Sequence, residues 1–388
     1  MAGTLGVVCA DESTPDPTVL PRARAWAATH AGHAEHGEGD VVRAHRDTHT
    51  ELTPHLLTRE QREEREDLLL APGATRARGG GNRVRPEPAD PARTCFERDR
   101  DRIVHSTAFR RLAGKTQVVV APRDHQRTRL THALEVAQVA TSIARGIGAN
   151  VTLTDAIAIG HDCGHGPGGH ASEDAFDAFI PEGYDHGPWG ADVVLAGLNL
   201  CVETLDGIRN HSWSRPAPST VEGEIVSWAD RIAYCAHDLE DAVHAGIVTL
   251  DDLPAVVTEQ VGRTRREQLG GFIRAVVATT QRTGRVGMDS DTAAALAALR
   301  AFNYERIYTR PESVAQSRAV VKVLHGLVDA YLTRPELLPE EYRTADDPVR
   351  GAVTYVGGMT DRFAFDQAEA LLGWDADRLP QGIGRGLG

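Results

Sequence analysis

Three separated stretches of the chain offer imidazoles and carboxylates in helical surroundings. His132 lies within 128–148, where Leu130, Leu134, Ala137, Ala140, Ala144 and Ile147 recur every three or four residues. That spacing predicts one buried helical face, stopped at Gly148. His161 and Asp162 close a short apolar segment, 154–162, which opens on Thr154-Asp155 as a cap. Asp230 belongs to 220–245, where Ile225, Trp228, Ile232, Ala236, Leu239 and Val243 keep the helical period as far as Gly246. Two imidazoles and two carboxylates suit a divalent cation of borderline or hard character: Mn, Mg, Fe, Co or Ni. With coordination positions left open, such an ion lowers the pKa of a water and supplies a nucleophile near neutral pH. Neighbouring side chains on a regular helix diverge by about 100°. The glycines after Asp162 can unwind that helix end and let His161 and Asp162 converge.

The same glycine-rich segment, His161 to His170, matches other patterns that its context excludes. Gly164-x-Gly166-x-x-Gly169 has the dinucleotide-binding spacing, but that motif needs a strand before it and a helix opening within it. Here a helix precedes and Pro167 interrupts. His161-x-x-x-His165 has zinc-protease spacing, yet Asp162 stands in place of the general base, and Gly164, Gly166 and Pro167 break the required helix. Gly114-Lys115-Thr116 ends like a phosphate-binding loop, with Phe109 where its first glycine must be.

The elements that position these residues are almost all helical. Segments 291–304 and 313–332 are amphipathic or rich in Ala and Leu, and strand-like alternation is scarce, so the expected class is all-α. A charged helix over 60–70 precedes a loop at 72–93 that carries Gly79-Gly80-Gly81, Pro86, Pro88 and Pro91. Residues 1–58 read as a loosely docked extension whose His30, His33, His36, His45 and His49 form a His-rich stretch. Residues 59–388 read as the working domain, with a further helical part from about 250.

Net charge is −13, from 42 basic and 55 acidic residues in 388, which disfavours a protein that coats nucleic-acid backbones. Cysteines 9, 95, 163, 201 and 235 form no C-x-x-C pair, as expected of a reducing, cytoplasmic setting. The start, Met1-Ala2-Gly3-Thr4, has no basic region of the export type. No apolar run has the length of a membrane span.

Taken in order, the motifs resemble those of the HD-domain metal-dependent phosphohydrolases, and more narrowly the deoxyguanosinetriphosphate triphosphohydrolase-like family. The resemblance runs from about 59 to 375. It rests on Arg98-Asp99-Arg100-Asp101-Arg102 with Ala108-Phe109-Arg110-Arg111-Leu112, on Lys115-Thr116-Gln117-Val118, and on Arg127-Thr128-Arg129-Leu130-Thr131-His132. It continues through His161-Asp162-x-Gly164-His165, Gly169-His170-x-x-Glu173, Ala229-Asp230-Arg231-Ile232-Ala233-Tyr234 with His237-Asp238, and Gly358-Met359-Thr360-Asp361-Arg362.

What the resemblance implies is specific. His132, His161, Asp162 and Asp230 would hold the metal. His170 and Glu173 would act near the leaving or attacking oxygen, with His186 as a second catalytic histidine. Tyr234 would pack on a deoxyribose, Asp238 would accept from its 3′ hydroxyl, and Gln117 would lie on the other side of the sugar. Arg129 and Arg231, and more weakly Lys115, would contact the phosphates, and His165 would also bind substrate. The reaction would be hydrolysis of a deoxynucleoside triphosphate to deoxynucleoside and inorganic triphosphate. The assembly would be a homo-oligomer, possibly a hexamer, with nucleic acid only as a regulator. Departures fall at Gly187, where the family has Asn, and at Gly168, where it has Phe. Rival readings are a hydrolase for another phosphoester, such as a deoxynucleoside monophosphate, and a non-catalytic nucleotide sensor.

Overall fold

The computed structural model describes residues 20–35, 41–118, 126–343 and 346–380, so Cys9 and His36 lie outside the described residues. The chain divides into two compact units, Met1–Leu56 and Leu57–Gly388. In the first, helix α1 (Pro21–Ala27) buries none of its residues. Strand β1 (His33–Glu35) pairs antiparallel with β2 (Val41–Arg43), His33 opposite Arg43.

The second unit is built of helices. They are α2 (Arg59–Leu69), α3 (Cys95–His105), α4 (Thr107–Arg111), α5 (Arg129–Ile147), α6 (Val151–Gly160), α7 (His170–Asp177), α8 (His186–Trp189), α9 (Val202–Asn210) and α10 (Val221–His244). There follow α11 (Ala255–Val261), α12 (Arg265–Thr283), α13 (Ser290–Asn303), α14 (Pro311–Thr333), α15 (Pro348–Gly357) and α16 (Asp361–Leu372). The fold is all-α, as the periodicity predicts. Among the described residues no helix is long and apolar enough to cross a membrane.

Two details differ from the sequence pattern. Helix α6 starts three residues earlier than Thr154, because the Asn150 side chain accepts hydrogen bonds from the N–H groups of Thr152 and Leu153; Thr154 is instead buried inside the helix. In α5 the buried stripe runs through Ala133, Val136, Val139, Ala140 and Ile143. Leu134 is therefore turned outward and is 53% exposed. Small side chains on the buried stripe let α6 and α10 approach closely.

Two apolar cores result. One gathers α3, α5, α6, α9, α10, α12 and α13. The other gathers α7, α14, α15 and α16 with Trp189 of α8. The loop at 72–93 is tied to the first core by Arg83, whose buried guanidinium donates to Asp99 (2.6 Å) and to the carbonyls of Cys95 (3.0 Å) and Asn199 (2.6 Å).

The glycine-rich segment between α6 and α7 crosses from one core to the other, and two buried charges hold it there. Lys115 donates to the carbonyl of His165 and to that of Gly357 (2.9 Å). Lys115 is thus no phosphate ligand: it is fully enclosed, and burial lowers its pKa to about 8. Asp361, at the start of α16, accepts from the Gly168 N–H (2.8 Å), the Thr116 N–H (3.0 Å) and the Thr116 hydroxyl. Removing a buried acceptor strands its donors at about 1–3 kcal/mol each. Asp361→Ala is accordingly expected to lower unfolding stability by about 3 kcal/mol in urea denaturation; a change below about 0.5 kcal/mol would show that these bonds do not hold the segment.

Candidate active site

Four donor atoms converge where α5, α6 and α10 meet. His132 Nε2 lies 3.0 Å from Asp230 Oδ1 and 3.8 Å from Asp162 Oδ2. His161 Nε2 lies 3.3 Å from Asp162 Oδ1 and 3.6 Å from Asp230 Oδ1. His161 follows directly on α6, and its Nδ1–H donates to the Ala158 carbonyl at 2.6 Å. Its Nε2 therefore carries a lone pair, is buried, and has no hydrogen-bond partner among the described residues. A lone pair aimed at two carboxylate oxygens is repulsive unless a cation lies between them. Neighbouring ligands in an octahedral shell with bonds of about 2.1 Å stand about 3 Å apart. The donor set thus fits a divalent metal, which His132, His161, Asp162 and Asp230 could hold. His132, His161 and Asp230 form one of the groups of converging ligand atoms in the chain.

The charges around this point compensate one another. Burial opposes ionisation of Asp162, but the Arg129 guanidinium (2.7 Å) and the adjacent imidazoles hold its pKa well below the usual carboxylate range. Asp230 is likewise kept low against burial, by the hydrogen bond from His132 and by the charge of the nearby histidines. Burial also lowers the pKa of His161.

Beside the four donors stands a second cluster. Glu173 bridges two histidines: its Oε2 lies 3.1 Å from His170 Nδ1, and its Oε1 is bonded to His186 Nδ1 and to the His186 N–H (3.2 Å). Burial works against the Glu173 carboxylate, yet the charge of His186 and the bonds from both rings push its pKa far below normal. In return Glu173 raises the pKa of His186 despite the burial of that ring. His170 and Glu173 share a face at i and i+3, as the sequence predicts. His165 stacks on His186 with ring centroids 3.7 Å apart, and its Nε2 is 3.3 Å from Asp162 Oδ1.

A cavity of about 420 Å³ opens over both clusters. Its walls include the predicted Gln117, Arg129, His165, His170, His186, Arg231, Tyr234 and Asp238. Arg129 keeps Nε and Nη2 buried without a partner among the described residues, and the same holds for Arg231 Nε and Gln117 Oε1. Arg231 lies over the Trp213 ring, 3.4 Å from its centroid. The Tyr234 hydroxyl accepts from Arg300 at 2.9 Å. The Asp238 carboxylate is already engaged, by Arg127 on one oxygen and by the Tyr308 hydroxyl on the other. Tyr308 ends a widened turn closed by the Thr309 N–H on the Tyr304 carbonyl (3.1 Å), which follows α13. The space a side chain at Gly168 would take is filled by Val320 of α14, 2.4 Å from the Cβ position, so α14 forms the wall there.

Sequence reasoning misses His211, Arg127, Trp213, Arg300 and Tyr308. His211 had a usable signal, since like His161 it directly follows a helix. The others reach the site through long-range packing that periodicity does not encode.

The HD domain family model matches residues 129–235, and the phosphohydrolase-associated domain model matches 286–370. Fold and site together define an HD-domain phosphohydrolase, a class of hydrolases that binds divalent metals. A protein of Caldanaerobacter subterraneus subsp. tengcongensis is 39% identical over 319 residues, spanning 80% of this chain and 94% of that one. One from Desulfatibacillum aliphaticivorans is 37% identical over 344 residues (81% and 98%), and one from Deinococcus radiodurans 36% identical over 374 residues (82% and 100%). All three carry the name deoxyguanosinetriphosphate triphosphohydrolase-like protein, the last with the suffix 1. The chain belongs to this family.

Metal binding at these donors has a direct consequence for stability. A ligand that binds only the folded state at about 100 times its Kd adds about 2.7 kcal/mol. Mn added to the chelator-treated protein is expected to raise Tm, and His161→Ala to abolish that rise. An unchanged rise in the variant would place the metal elsewhere.

Proposed function

We propose that the protein hydrolyses deoxynucleoside triphosphates to deoxynucleoside and inorganic triphosphate. The observation that carries this reading is the set of unpartnered buried donors, Arg129 Nε and Nη2 with Arg231 Nε, in the cavity that also holds the four convergent metal-type ligands. Buried guanidinium donors left open are costly unless a ligand takes them up. Phosphate oxygens match their fork geometry.

A divalent cation held by His132, His161, Asp162 and Asp230 would supply Lewis acidity at the α-phosphate and to the attacking water. Arg129 and Arg231 hold phosphate oxygens and stabilise the charge that builds on them. Water adds to the α-phosphorus, the bond from phosphorus to the 5′ oxygen breaks, and His170 gives its proton to that oxygen. Glu173, 3.1 Å from His170 Nδ1, keeps that ring oriented for the transfer. His165 and His186 line the same wall. Tyr234, in the cavity wall, would pack on the sugar where a 2′ hydroxyl would crowd its ring, and so would select deoxyribose over ribose. Asp238, fixed by Arg127 and Tyr308, accepts from the 3′ hydroxyl, and Gln117 Oε1 bounds the sugar on the opposite side.

Incubation with each deoxynucleoside triphosphate and Mn or Mg, followed by ion-exchange separation, is expected to give inorganic triphosphate in one step. His170→Ala should lower kcat by about 100-fold or more with the metal still bound. Free phosphate as the first product would replace this reading with that of a monophosphatase. Binding without turnover would leave a nucleotide sensor.

Tyr234→Ala should narrow discrimination against ribonucleotides by about 10-fold in kcat/KM, within the range that one steric contact in a pocket supplies. Unaltered discrimination would remove Tyr234 from the sugar site.

A further inference from the structure

The two arginines assigned to phosphate are held in different ways. Arg129 is paired with Asp162, whose carboxylate offsets its charge and takes up Nη1 at 2.7 Å. Among the described residues Arg231 forms no ion pair, and its Nε is buried without a hydrogen-bond partner. What fixes Arg231 is an aromatic face: its Cζ stands over the Trp213 indole, 3.4 Å from the ring centroid. At that distance the two planes lie nearly face to face, because a guanidinium standing on edge would drive a nitrogen into the ring. The attraction is between the cation and the π face, so only the flat of the guanidinium is used. Its N–H groups lie in the plane and stay free, and its charge is not offset.

The indole is itself anchored. Its Nε1–H donates to the Ser227 carbonyl at 3.0 Å, and its ring meets Trp228 edge-on, with centroids 4.7 Å apart and planes at 72°. Ser227 and Arg231 stand four residues apart on α10 and so share a face. The indole is thus pinned one turn before Arg231 and reaches along the helix to cover it. Trp213 is 45% exposed and lines the cavity together with Arg231. We propose that Trp213 is a positioning residue for phosphate: it holds the Arg231 guanidinium by its face and leaves the N–H edge to a polyphosphate chain. This rests on reading the cavity as a phosphate site. A carboxylate in place of the indole would also fix the arginine, but it would compete with phosphate for the same donors. With neither, the long side chain would spread over many rotamers, and ordering it would weaken binding.

The test is a double-mutant cycle on the full chain, read as binding of inorganic triphosphate by calorimetry in saturating Mn. Trp213→Leu is expected to raise Kd by about 10-fold, and Trp213→Phe, which keeps an aromatic face, by less than about 3-fold. In an Arg231→Ala background Trp213→Leu should change Kd by less than about 2-fold, because the residue it positions is gone. The rise in Tm with Mn should persist in every variant. An unchanged Kd in Trp213→Leu, an equal loss with and without Arg231, or loss of the Mn response together with triphosphate binding would each overturn the proposal; the last would make Trp213 a structural residue. Failure of the natural protein to bind inorganic triphosphate would overturn it as well. Coupling between the two residues in a protein that cleaves no deoxynucleotide would leave this inference standing and remove the proposed reaction. Triphosphate release by the natural protein, with no coupling, would do the reverse.

Discussion

Everything in the site turns on the burial of one carboxylate. Asp162 is almost wholly enclosed, with Arg129 on one oxygen and the imidazoles of His161 and His165 near the other. An isolated carboxylate in such surroundings costs several kcal/mol and would simply take up a proton. It stays ionised because the guanidinium is buried with it. The arginine in turn tolerates burial because the carboxylate is there. Neither could be removed alone without leaving an uncompensated charge, so α5 and α6 are locked together at the candidate site. The unwinding of α6 at Asp162 is part of the same constraint, since a continued helix would turn the carboxylate away from His161.

The second core makes that arrangement durable. The glycine-rich segment after Asp162 has little apolar surface of its own. It is held by Lys115 and Asp361, which bond the His165 carbonyl and the Gly168 N–H and are themselves enclosed. The region matched by the phosphohydrolase-associated model contains α13, α14 and α15 and most of α16. That region supplies Val320, Tyr308 and Asp361 to the site. The C-terminal helices therefore form a wall of the cavity and a clamp on its floor. They are as much part of the site as the helices that carry the donor residues.

The sequence makes the helices and the four convergent donors legible because both follow short-range rules. Period and glycine stops bound α5 and α10 to within a residue or two, and His161-Asp162 stands out at the end of an apolar helix followed by glycines. Reading fails where long-range packing decides. Lys115 looks like an anion binder beside Gly114 and Thr116, yet it is spent on two carbonyls far along the chain. Asn150 displaces Thr154 as the cap because its side chain reaches two free N–H groups at once. Leu134 keeps the period but falls off the stripe that small residues define. His211 follows a helix as His161 does, but it has no neighbouring motif, and its place beside His186 appears only when α8 and α9 meet.

Charge accounting links the metal to the substrate in the proposed reaction. The chain carries a net charge of −13, while a triphosphate brings about four further negative charges. Of the cavity's arginines, Arg129 is paired with Asp162, while Arg231, stacked on Trp213, and Arg300, bonded to the Tyr234 hydroxyl, keep their charge. They offer directed donors together with positive charge. With Asp162 set against Arg129, Asp230 is the further carboxylate among the donor residues that a cation would offset. A divalent charge at that floor would favour binding of a polyanion, and by linkage the polyanion would tighten the metal by the same factor. Metal and nucleotide affinities measured separately will therefore each understate the affinity of the pair.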